Sequence, residues 1–191
     1  MGMVEASRRI GSVCLYCGSS DAADPLYRTA AEDLGRAFAA ADVRLVYGGG
    51  GVGLMGAAAR AAHDAGGRVL GIIPQFLVAR ERLYDAVETV VVGDMPTRKL
   101  RMFEEADGFV VLPGGIGTLE EVVELLSWKR LGLHDKPVVF LNIQGFWDPL
   151  FELFHHTIEH QMTPASFADA WTGVSRVEDV LPALRTQMRA A

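Results

Sequence analysis

Cysteine and lysine are both scarce in this chain, and long apolar runs are missing. The two cysteines, Cys14 and Cys17, form a Cys-x-x-Cys. Redox pairs of that spacing usually open a helix, and a zinc site needs more ligands. These two fall at the end of an apolar, branched run and are expected to be buried, inert thiols. Lys99, Lys129 and Lys136 are the only lysines, which leaves few candidates for a Schiff-base enzyme. No apolar run approaches the roughly 18 residues of a membrane helix. Met1 to Arg9 ends in Arg8 and Arg9 without an apolar stretch behind it, so no leader is expected and the cytoplasm is the expected location. Basic charge is short as well: 18 Lys and Arg against 24 Asp and Glu give a net charge of -6. That field opposes DNA, RNA and anionic membrane, so neither nucleic acid nor membrane is an expected partner. A small phosphate held locally is compatible with it.

What is abundant is core-forming material: 50% hydrophobic against 22% charged residues, with mean hydropathy +0.19. At 191 residues, against roughly 150 per domain, one domain over 1–191 is expected. Short branched runs alternate with helical stretches. The expected strands are Ile10 to Tyr16, Val43 to Tyr47, Arg68 to Ile73, Val87 to Val92, Gly108 to Leu112 and Pro137 to Asn142, with a seventh, edge strand near Trp171 to Val174. Most are continuously apolar, as strands covered on both faces are. Helix starts are signalled by Asp24 before Pro25, by Pro96, by Thr118 and by Asp148 before Pro149. The order predicts an α/β fold: one doubly wound, Rossmann-like domain with a mostly parallel sheet of about six to seven strands and helices on both faces.

In such sheets ligands bind beyond the carboxyl ends of the strands. Two glycine loops, Gly48 to Gly56 and Pro113 to Thr118, each follow a strand and open a helix there. Gly51-Val52-Gly53-Leu54-Met55-Gly56 satisfies Gly-x-Gly-x-x-Gly, but it follows the second strand, and no acid for a ribose hydroxyl lies about 20 residues on, which disfavours NAD. Close packing accounts for any one of these glycines as well as ligand contact does. Pro113-Gly114-Gly115-Ile116-Gly117-Thr118-Leu119-Glu120-Glu121 is more specific. The N–H groups of Gly114, Gly115 and Gly117 can converge on a phosphate, the Thr118 hydroxyl can add a donor, and a helix dipole favours the anion. Thr118 and Glu121 also spell a capping box, which needs no ligand.

On a helical wheel Leu119, Val122, Val123 and Leu126 form one stripe, the expected core face, and Leu125, Trp128 and Leu131 lie opposite, on the side of Glu121. A helix apolar on two sides points to a subunit partner. Arg98 and Lys99 fall in the first turn of a helix, where the dipole opposes them, so an anionic ligand or Glu121 should compensate. Arg80-Glu81-Arg82 lies in a loop, Pro74 to Ala86, of lid-like length. His63, His134, His155, His156 and His160 give no metal spacing, and no metal site is expected.

Cys17-Gly18-Ser19-Ser20, Val46-Tyr47-Gly48-Gly49-Gly50, Gly53-Leu54-Met55-Gly56, Arg98-Lys99, the Pro113 to Glu121 loop and Leu131-Gly132-Leu133-His134-Asp135-Lys136-Pro137 together resemble the LONELY GUY family of cytokinin riboside 5′-monophosphate phosphoribohydrolases, over roughly Gly11 to Leu150. Bacterial members of that family were often labelled lysine decarboxylases. The resemblance implies hydrolysis of the N-glycosidic bond of an adenine-type nucleoside 5′-monophosphate to free base and ribose 5-phosphate, without metal or other cofactor, in a homodimer. It places Arg98 and Glu121 at catalytic positions. Ser20, Glu81, Lys99, Gly114, Gly115, Gly117, Thr118, Glu120 and Ser127 fall at positions for substrate. Ile116 stands where plant members often have an aromatic, and Ser127 where Thr is common. Glu121, with a helix dipole favouring its anion, suits base or charge-stabilising duty better than acid duty. The alternatives are a non-catalytic nucleotide carrier or sensor on the same fold and a pyridoxal phosphate decarboxylase.

Overall fold

The structure, a computed structural model, describes residues 9–190; the expectation about a leader in Met1 to Arg9 lies, save Arg9, outside them. Seven parallel strands form one sheet: β1 (Ser12–Tyr16), β2 (Arg44–Tyr47), β3 (Val69–Pro74), β4 (Glu88–Val92), β5 (Gly108–Val111), β6 (Val138–Leu141) and β7 (Thr172–Val174). Their order is β4-β3-β2-β1-β5-β6-β7. The chain therefore winds outward from β1 to one edge, crosses back, and winds outward again from β5. The β1–β5 boundary is the switch point, where the connections diverge and leave a crevice.

β1, β3, β5 and β6 are buried along their length, as their unbroken apolar runs predict, whereas the edge strand β4 leaves Glu88 and Val91 exposed. Alternate residues of each strand feed two cores. Val13, Leu15, Leu45, Val110 and Val139 pack under α1 (Pro25–Ala40), α2 (Gly53–Asp64) and α6 (Val180–Ala190). Cys14, Tyr16, Val46, Phe109 and Phe140 pack under α3 (Met95–Glu104), α4 (Ile116–Arg130) and α5 (Asp148–Glu159). Both cysteines are buried and free, and burial pushes their thiols up, so they pack as apolar side chains.

The helix starts follow their signals at α1 and α3. Asp24 Oδ1 accepts from the Leu26 N–H and Asp94 Oδ1 from the Thr97 N–H, each at 2.8 Å, with Pro in the first turn. α5 begins at Asp148 itself, one residue ahead of Pro149. α4 departs from expectation. It begins at Ile116 after the cap residue Gly115, which puts Thr118 inside the first turn and Glu121 beyond the capping position, so there is no capping box. The α4 core stripe is also rotated. Buried Thr118 starts the i, i+4, i+7, i+8 series with Val122, Leu125 and Leu126, while Val123 is 46% exposed. Leu125 thus belongs to the core rather than to an opposite face, and Trp128 is half-buried with its ring edge-on to Phe103 at 5.4 Å.

Candidate active site

A cavity of about 400 Å³ opens at the switch point, within the range of small-ligand sites. Four carboxyl-end segments supply its walls. The turn after β1 gives Cys17 to Ser20, the loop after β3 gives Leu77 and Glu81, the start of α3 gives Met95 and Arg98, and the start of α4 gives Gly115 to Thr118, Glu120 and Glu121; Met55 of α2 completes it. Ser20, Glu81, Arg98, Gly115, Gly117, Thr118, Glu120 and Glu121 are thus brought together. Lys99, Gly114 and Ser127 are not among the lining residues.

Arg98 is buried although charged, and its guanidinium laces two strand ends together. Its Nε donates to the Ile72 carbonyl at 3.2 Å and its Nη2 to the Gly48 carbonyl at 3.3 Å. Gly48 has no alternative, because a Cβ there would overlap Arg98 Nη2. The remaining nitrogen, Nη1, faces Glu121 Oε1 at 3.6 Å. Two carbonyl dipoles and a carboxylate therefore compensate the cation that the helix start disfavours. Lys99 finds its compensation elsewhere, on Glu120 and on Glu124, the latter at 2.9 Å, so it clamps α3 to α4 rather than pointing into the cavity.

Glu121 is 11% exposed. Desolvation pushes its carboxyl up to about 7, against the pull of Arg98 and with the Glu120 and Glu81 carboxylates adding to the rise. The helix dipole, which favours the ionised form, is outweighed by burial, and Glu121 is poised between its two forms at neutral pH. Glu81 is the second perturbed acid. Its Oε2 is buried with no hydrogen-bond partner among the described residues, and burial raises its carboxyl while Arg98 lowers it.

The two glycine loops separate by cause. Side chains at Gly51, Gly53 and Gly56 would overlap Arg82 O, the Ser19 main chain and Gly51 O, and Gly53 has φ +55°. Packing explains all three. The start of α2 is moreover occupied by a carboxylate, since Asp21 Oδ1 accepts from the Gly53 N–H at 2.9 Å. In the other loop Gly114 is bare because Thr118 fills the space, whereas Gly115 and Gly117 are exposed with nothing near a would-be Cβ. The α4 N-terminus carries no side-chain cap from Gly115, and it is the end that suits an anion. Leu77 and Met95 were not singled out by the sequence, and Cys17 and Met55 entered only as members of motifs without a place in the cavity; apolar side chains look alike in a core and in a cavity wall.

No group of three or more His, Cys, Asp or Glu among the described residues could hold a metal, and no helix there is long and apolar enough to cross a membrane. None of the three lysines lines the cavity: Lys129 Nζ donates to the Lys136 carbonyl and Lys136 Nζ to the Phe103 carbonyl.

Comparison with known proteins gives consistent relationships. Residues 55–184 match the model of a family described as possible lysine decarboxylase. A probable cytokinin riboside 5′-monophosphate phosphoribohydrolase, LOGL2 of Oryza sativa subsp. japonica, is 45% identical over 152 residues, which cover 79% of this chain and 62% of that protein. The cytokinin riboside 5′-monophosphate phosphoribohydrolase LOG4 of Arabidopsis thaliana is 43% identical, covering 79% of this chain and 71% of that one. Among solved structures, the molybdenum cofactor carrier protein of Chlamydomonas reinhardtii superposes with TM-score 0.70 at 24% identity, covering 96% of this chain and all of that one. At that identity the likeness concerns the fold alone.

Proposed function

The chain belongs to the LONELY GUY (LOG) family that these relatives name, and on that footing we propose that it hydrolyses the N-glycosidic bond of adenine-type nucleoside 5′-monophosphates, cytokinin riboside monophosphates and AMP among them. The observation that carries the reading is the facing pair in the cavity wall at the switch point, Arg98 buried and Glu121 only 11% exposed. Breaking the bond between the base nitrogen and ribose C1′ builds positive charge on the ribose. Ionised Glu121 stabilises that charge and takes a proton from the water whose oxygen bonds to C1′; that proton passes on to the leaving base nitrogen, so one water is consumed and Glu121 ends ionised. A carboxyl poised near 7 suits this duty, because a base works best with its pKa near the operating pH. Arg98 keeps the carboxylate aimed, and the uncapped start of α4 with Gly115, Gly117 and Thr118 receives the 5′-phosphate. Glu81 and Ser20 complete the substrate contacts.

The reading treats 1–191 as one hydrolase domain, supported by the one sheet that takes in all seven strands. It includes a homodimer through α3, α4 and the turn after α4, supported by exposed Leu100, Val123, Leu131 and Leu133. Ser127 and Lys99 are assigned through that face and through Glu120 rather than through the cavity wall. The cytoplasm is the location assigned, in keeping with two free thiols.

The test is a panel of nucleoside monophosphates and their nucleosides, assayed for free base and ribose 5-phosphate. Equimolar base and sugar phosphate are expected from AMP-type substrates, with adenosine poor because the remote phosphate supplies binding energy used at C1′. Equal hydrolysis of adenosine and AMP would reject the phosphate anchor. No release from any member would leave a nucleotide-binding protein instead.

A further inference from the structure

Glu81 sits in the cavity under unfavourable terms. One oxygen of its half-buried side chain, Oε2, is buried without a partner among the described residues, and the next residue, Arg82, adopts φ +48°, a conformation side chains disfavour. Such a conformation persists only where the surrounding structure holds it, and the hold is visible on the other side of the loop. The Gly51 N–H donates to both the Glu81 and Arg82 carbonyls, at 2.9 and 2.8 Å, Leu83 pairs with Gly50, and the Tyr84 N–H reaches the Gly49 carbonyl at 3.3 Å. One side chain closes this arrangement. Asp21 Oδ2 accepts from the Arg82 guanidinium, and its Oδ1 accepts from the Gly53 N–H at the start of α2, with Arg28 at 3.9 Å.

We propose that Asp21 is a positioning residue for this site, an anionic latch that ties the loop carrying Glu81 to the start of α2. Both Asp21 and Arg82 are about half exposed or more, and isolated ion pairs at such sites do little. Asp21 is not isolated, however. A backbone N–H and the positive end of α2 already fix it, so only Arg82 has to be ordered to close the latch. The same N–H and Arg82 hold the Asp21 carboxyl below its usual range, so the latch stays charged at any pH near neutrality.

The effect on catalysis rests on the reading of Glu81 as a nucleotide contact; the latch itself does not. In the full chain, Asp21→Asn and Arg82→Gln should each raise KM for AMP about three- to tenfold with kcat little changed, the range expected of one loosened charge contact. The double variant should match either single one, because both remove the same interaction. Arg82→Lys should stay near wild type. Amide hydrogen exchange at Gly51 and Tyr84 should quicken in both single variants while the global melting temperature holds. Unchanged exchange, or additive losses in the double variant, would overturn the latch. Faster exchange with an unchanged KM would uphold the latch as a structural tie and overturn its positioning role; the Glu81 reading is judged separately, by whether Glu81→Gln raises KM.

Discussion

Replacing Glu121 by Gln should make the protein less active and more stable, and the stability gain should depend on pH. The carboxyl rises from 4.5 to about 7 on folding, chiefly through desolvation. Because the folded value lies above the unfolded one, the folded protein holds this proton more tightly. The group then carries no penalty below about pH 4.5, and its stability contribution is lost as pH rises through about 7. For a side chain only 11% exposed, the full rise converts to roughly 3 kcal/mol. Arg98, 3.6 Å away, opposes the rise, and its pull is already contained in the value of about 7. Gln fills the same volume and cannot ionise. Melting curves of the two proteins should therefore lie close together at pH 5 and separate by pH 8. The variant should lead there by about 1 to 3 kcal/mol, or roughly 3–10 °C for a chain of this size. Turnover should fall by about 10² to 10⁴, the usual worth of a positioned acid or base, and the wild-type kcat/KM profile should bend near the carboxyl's value of about 7. A stability difference that is flat across pH would refute the desolvation argument. Near-normal turnover would refute the catalytic role.

The sheet was legible because its strands are covered on both faces and read as unbroken apolar runs; all seven lie within two residues of their expected bounds. Arg98 was legible through a conflict, a cation where the helix dipole opposes one, and the structure resolves the conflict with two carbonyls and Glu121. Less legible was whatever depends on phase. α4 starts at Ile116 rather than Thr118, and separately it packs with its core face rotated, taking Leu125 into the core and turning Val123 outward. The earlier start removes the capping box and leaves Glu121 without a structural duty at the helix end. Asp21 lay one residue beyond the Cys17 to Ser20 motif, and its partners Gly53 and Arg82 lie 32 and 61 positions away. No local pattern in the sequence could have joined them. The rise of the Glu121 carboxyl is likewise a property of packing, which spacing does not encode.

The remaining expectations follow from the same geometry. Gly48→Ala would drive a Cβ into the Arg98 guanidinium, and since a displacement near 1 Å can cost about 10²-fold, turnover should fall on that scale in steady-state assays; wild-type rates would show that Arg98 need not be held. The dimer is tested on side chains that the monomer does not need. Trp128 packs on Phe103, so changing it would confuse folding with assembly, whereas Val123 and Leu131 are 46% and 58% exposed. Val123→Arg and Leu131→Arg should therefore keep the melting temperature of the folded subunit, halve the mass in light scattering and reduce activity together with mass, because α4 carries both this face and Glu121. A wild-type protein that is monomeric and fully active at assay concentration would refute the coupling between assembly and site.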